Sequence, residues 1–176
     1  MKRNVMFAAV AVLVFSFAAF GQDYSGTWNL DKAASKLDDR SKNIESMTLT
    51  ITQTEKEITV ATETKRAMSS EGGRMGGRMG GGMMGDSTTT YSLDGKAKKT
   101  EVKTQNGSMP ASLKAKNEKD KLELTRDVSF SSPMGEVTIL NKETLTLSAD
   151  GRTLTMHREM SSPRGTTSNT FVFHKQ

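Results

Sequence analysis

From residue 47 to residue 175 the chain keeps to one pattern: a run in which every second position is apolar, a short turn, then another such run. Period two marks a strand with one face buried and one in water, and connections this short join only antiparallel neighbours. Ten runs can be placed, at residues 24–30, 46–53, 57–66, 88–93, 96–104, 111–116, 121–130, 136–148, 153–160 and 166–174. The predicted fold class is all-β: an up-and-down antiparallel meander of eight to ten strands that closes into a barrel, because closure removes exposed edges. Helix fits in one place only, residues 31–43, where Ala33, Ala34 and Leu37 have helical spacing behind Asp31 as N-cap.

Register follows from requiring apolar residues to face apolar residues across each hairpin. Leu147 then faces Leu154 and Leu145 faces Met156, which sets Glu143 opposite Arg158. Phe130 with Val137 and Val128 with Ile139 set Arg126 opposite Asn141, and Met156 with Phe171 and Leu154 with Phe173 bring Asn169 beside Arg158. Arg126, Asn141, Glu143, Arg158 and Asn169 thus share the face of the apolar set. Glu143 and Arg158 neutralising each other is one reading, since buried charges persist when paired. Another gives the surplus guanidinium to the head of an anionic amphiphile, which it can hold through two parallel hydrogen bonds. A bulge near Asn141 and Lys142 would reverse the parity and send the whole set to solvent.

Gly26-Thr27-Trp28 at the start of the first strand resembles the Gly-x-Trp opening of lipocalins and related calycin barrels, and residues 26–30 also resemble the opening of fatty-acid-binding proteins. With Ser35-Lys36 and the segments 91–96 and 145–152, the chain is most similar to small exported bacterial lipocalin-like proteins of unassigned function. The resemblance implies a barrel that binds a small apolar molecule; the expectation for this chain is a small apolar or amphiphilic ligand in an interior walled by Trp28, Tyr91, Phe130, Met156, Phe171 and Phe173. It also implies an arginine packed over Trp28 at the barrel base. Two departures stand out: ten strands exceed the lipocalin eight, and the last strand lacks the Arg-x-Tyr pair with which fatty-acid-binding proteins hold a carboxylate.

Lys2 and Arg3, an apolar run from Val5 to Phe20 broken only by Ser16, and small residues at Ala19 and Gly21 compose a secretory signal. Residues 1–21 are expected to be removed, leaving residues 22–176 as one domain without a stable membrane anchor, in the periplasm or secreted medium. The chain has no cysteine, so neither disulfides nor a lipidated cysteine are expected. Losing Lys2 and Arg3 lowers the net charge from +5 to about +3, spread among alternating Lys and Glu. That is a solvated surface rather than a nucleic-acid footprint, and a monomer is expected.

Catalysis finds little support. His157 and His174 both point outward by parity, roughly 13 Å apart along the strands, too far to share a metal. No serine sits in a strand-to-helix elbow, no glycine loop opens a helix, and no cofactor is implied. The chain reads as a binding protein and not an enzyme.

Residues 67–86 depart from the pattern, with Met68, Met75, Met79, Met83 and Met84 set among glycines and two arginines. This composition predicts a flexible loop between two strands. Thioether sulfur favours Cu(I) and Ag(I), so Met75, Met79, Met83 and Met84 form an alternative soft-metal site, although Arg74 and Arg78 oppose cation binding. A structural envelope protein with a filled core is the remaining alternative. Replacing residues 70–85 by a short turn should barely move the calorimetric midpoint, because loop closure depends weakly on length. A rise of the midpoint on Cu(I) titration, lost when the four methionines become leucine, would favour the metal reading.

Overall fold

The computed structural model describes residues 22–67, 86–104, 107–132 and 135–176. The expected signal segment 1–21 and the methionines of the insert, Met75, Met79, Met83 and Met84 among them, lie outside the described residues. Ten strands form one sheet: β1 (Gly26–Lys36), β2 (Ile44–Gln53), β3 (Glu57–Arg66), β4 (Ser87–Ser92), β5 (Lys98–Thr104), β6 (Gly107–Glu118), β7 (Lys121–Ser132), β8 (Gly135–Leu147), β9 (Thr153–Ser162) and β10 (Gly165–Lys175). Every neighbouring pair is antiparallel, and the spatial order is β4-β3-β2-β1-β10-β9-β8-β7-β6-β5. The first strand therefore pairs with the last, and the meander becomes a nearly closed barrel. The ring of backbone hydrogen bonds is interrupted between β4 and β5, where β4 lies against β6 instead.

The region that could have been helical is strand. β1 runs on to Lys36 through a wide bulge: Asp31 is opposite Val172, and Lys36 is opposite Thr170. Asp31 has no helix to cap; its Oδ1 instead accepts the Ala34 N–H at 3.0 Å within the bulged strand. The bulge is held when the Val172 N–H donates to Ser35 Oγ at 2.9 Å and Ser35 Oγ donates to the Asp31 carbonyl at 2.6 Å. Ala33 and Ala34 are exposed, so a helix of this length would lack the packed face that short helices need.

Because the strands alternate direction, all connections fall at two ends. At one end lie the β2–β3, β4–β5, β6–β7 and β8–β9 turns together with residues 22–25. There the interior is packed: Tyr24, Trp28, Leu49, Ile58, Leu122 and Leu154 are fully buried. Tyr24 closes this base by reaching across it. Its backbone N–H donates to Gln53 Oε1 at 3.1 Å, its carbonyl accepts the Trp28 indole N–H at 3.0 Å, and its hydroxyl donates to the Leu145 carbonyl on β8 at 3.3 Å. Burial pushes the phenol up to about 12. The cation over Trp28 is lysine, not the expected arginine: Lys175 Nζ stands 5.1 Å from the ring centroid. Its place follows from register, because Lys175 is opposite Trp28 and has the parity of Phe171 and Phe173.

Gly26 makes the turn into β1 with φ +138°, and a Cβ there would stand 2.8 Å from Lys175 Cε. The lysine tail can move; the backbone conformation cannot. Gly26→Ala should therefore lower stability by about 1–3 kcal/mol in urea unfolding, and adding Lys175→Ala should recover only a small part of that loss.

Candidate functional site

Above the packed base, the inward face of β7, β8, β9 and β10 turns polar. Arg126 is opposite Asn141, Glu143 is opposite Arg158, and Asn169 is opposite Arg158. These are the pairings that apolar matching gave, and the β8–β9 ladder is continuous through Asn141 and Lys142, so no bulge reverses the parity. Asn141, Glu143, Arg158 and Asn169 are all buried, and Arg126 is half-buried.

Arg158 Nε donates to Glu143 Oε1 at 2.9 Å, and Asn141 Nδ2 donates to the same oxygen at 3.2 Å. The Arg158 guanidinium also lies over Phe171, 5.1 Å from the ring centroid. Burial acts to raise the Glu143 pKa, but the charges of Arg158 and Arg126 and the two side-chain hydrogen bonds outweigh it, and the carboxyl is held below its ordinary value. Tyr91 belongs to the same neighbourhood. Burial, and then the Glu143 charge, push its phenol well up, so it stays neutral.

Asn169 ties this interior to the β1–β2 connection. Its Oδ1 accepts the Asp38 N–H at 2.6 Å, and Asp38 Oδ1 in turn accepts the Ser41 N–H at 2.9 Å. Sequence reasoning did not find Asp38 and Ser41. The Asp-x-x-Ser spacing was a turn signal, but nothing in it says that the turn lies over a barrel end. Lys175 was also missed, although its parity was readable.

The expected wall divides into two parts. Trp28, Met156, Phe171 and Phe173 are sealed by their neighbours, and Tyr91 is nearly so. Phe130 is half-buried, as are the inward residues Met109, Val137, Ile139 and Met160. These lie toward the end of the barrel that carries the β1–β2 and β9–β10 connections. The interior is thus graded from a filled apolar base, through a buried charged layer, to an apolar rim with accessible surface. His157 and His174 are on the outer face; His174 Nε2 lies 3.1 Å from Asp31 Oδ2, and His157 Nε2 lies 3.5 Å from Glu159 Oε1.

No protein-family model matches the chain, and no curated protein matches it. Among solved structures it is similar to the ileal bile acid-binding protein of zebrafish complexed with cholic acid, at 15% identity and a TM-score of 0.49, covering 87% of this chain and 98% of that one. It is also similar to the fatty-acid-binding protein of Manduca sexta, at 10% identity and a TM-score of 0.45, covering 86% and 99%. At these levels, what those proteins bind remains a property of those proteins.

Breaking the ion pair from one side should be far worse than removing it. Arg158→Ala leaves a buried carboxylate and should cost about 3–5 kcal/mol, whereas Glu143→Met with Arg158→Leu should cost much less. Chemical unfolding of Glu143→Met, Arg158→Leu and their double variant measures the coupling. Because the folded carboxyl lies below its ordinary value of 4.5, its contribution is complete above that pH and is lost as the pH falls toward the folded value. The double variant should therefore lose less stability than the parent over that acid range.

Proposed function

We propose that this barrel binds a small apolar or amphiphilic molecule, with its polar head at the charged layer and its apolar part along the rim. The observation that carries this reading is the juxtaposition of the two layers. Buried Asn141, Glu143 and Arg158 with half-buried Arg126 adjoin Phe130, Val137, Ile139 and Met160, which keep accessible apolar surface. A filled core needs no such arrangement. Ligand sites combine apolar walls with a few convergent polar groups, and that is the composition of this region. Guanidinium groups favour an anionic head over a cationic one, because they bind carboxylate or phosphate through two parallel hydrogen bonds. The expected ligand set is Arg126, Asn141, Glu143, Arg158 and Asn169 at the head, with Tyr91 and Phe130 beside them. Trp28, Met156 and Phe171 support the site from below through packing.

Native mass spectrometry of the purified protein, before and after organic extraction, tests for a co-purified molecule. Hexadecanoate and hexadecanol then separate head from tail. Arg126→Met should weaken hexadecanoate by about 2 kcal/mol, the scale of a charge-assisted hydrogen bond, and should leave hexadecanol nearly unchanged in calorimetric titration. No binding of either probe, with no co-purified molecule, would leave the filled-core envelope reading in front.

A further inference from the structure

The orientation of one buried amide narrows the kind of head group. Asn141 is only 5% exposed and lies on β8 between Arg126 on β7 and Met160 on β9. Its Nδ2 faces Glu143 Oε1 at 3.2 Å. The ionised Glu143 can only accept, so the amide must present its NH2 group there, and the orientation is fixed by chemistry. Asn141 Oδ1 consequently points away from the carboxylate. It is buried and finds no donor among the described residues.

A buried acceptor without a donor is destabilising, and the sealed position of this oxygen leaves it no contact with solvent. Its neighbour across the ladder is Met160, a half-buried unbranched side chain of the kind that yields readily to a new occupant. Its neighbour on the other side is Arg126, on a ladder whose side chains stand about 5 Å apart. A molecule that displaced Met160 and reached Asn141 beside Arg126 would meet an amide oxygen that accepts and a guanidinium that donates. Its head must then accept at one atom and donate at another, a few bonds away.

We infer that Asn141 Oδ1 is a hydroxyl-recognition point, and that the amphiphile bound by this barrel is a hydroxy acid with its hydroxyl within about three carbons of the carboxylate. The inference rests on the interior-binding reading above and names the ligand class for it. The carboxylate is taken by Arg126, the hydroxyl donates to Asn141 Oδ1, and the Glu143–Arg158 pair stays intact as the fixed support of the Asn141 amide.

The test uses the full mature chain after organic extraction, titrated with hexadecanoate, 3-hydroxyhexadecanoate and 3-methoxyhexadecanoate. The hydroxy acid should bind about tenfold tighter than either of the others, because the methoxy compound has the oxygen without the donor hydrogen. Asn141→Leu should remove that preference, so that the variant binds the hydroxy, methoxy and unsubstituted acids about equally. Should Asn141→Leu fail to fold, the comparison of hydroxy with methoxy acid on the parent chain decides alone. Equal binding of the three acids would overturn the hydroxyl assignment and leave interior binding standing. A preference that survives Asn141→Leu would place the hydroxyl elsewhere and also overturn it. Failure of all three acids to bind would remove both readings together.

Discussion

The pairing of β1 with β10 is the constraint on which the molecule depends. A meander of ten antiparallel strands has two free edges, and joining the first strand to the last moves both of them to the β4–β5 seam. The same pairing puts Trp28 opposite Lys175 and Leu30 opposite Phe173, so the chain ends meet over the largest side chain in the core. The Gly26-x-Trp28 opening is thus a closure device. Glycine allows the reversal that brings Tyr24 back beneath the indole, and Tyr24 then spans the base from β2 to β8. With one end sealed in this way, accessible interior surface can exist only toward the other end.

That asymmetry explains how a charged pair is tolerated inside. Glu143 and Arg158 sit where the packed base ends, each satisfied by the other, by Asn141 and by the face of Phe171. A pair of this kind adds little net stability over apolar residues of the same shape. What it supplies is direction: fixed donors and acceptors whose positions are set by three adjacent strands rather than by a loop. Asn169, opposite Arg158 on β10, accepts the Asp38 N–H and so ties this part of the barrel wall to the β1–β2 connection.

Much of this was readable in the sequence because period-two patterning and apolar matching are local. Each hairpin of β7 to β10 fixes its own register, and once Leu145 faces Met156 the position of Glu143 against Arg158 is arithmetic. Three features were not readable, each for a physical reason. The bulge at residues 31–36 depends on Ser35 Oγ accepting a backbone N–H from Val172, a contact 137 positions away in the chain. The seam depends on which strands fail to pair, and alternation within β4 or β5 carries no record of a neighbour. The grading of the interior depends on what closes each end, and Tyr24 looked like the first residue of a strand when it is the stopper beneath one.

The seam also sets the mechanical character of the barrel. Everywhere else, widening the ring means breaking a ladder of backbone hydrogen bonds, whereas between β4 and β5 there is no ladder to break. Among the described residues, Tyr91 of β4 and Leu113 and Ala115 of β6 belong to one shared core across this line. Such contacts slide and re-form with little directional penalty. The barrel is therefore built as a split ring, with backbone ladders joining every other pair of neighbouring strands and none joining β4 to β5. Amide hydrogens of β4 and β5 are the ones that such a ring would release to exchange before those of β8 and β9.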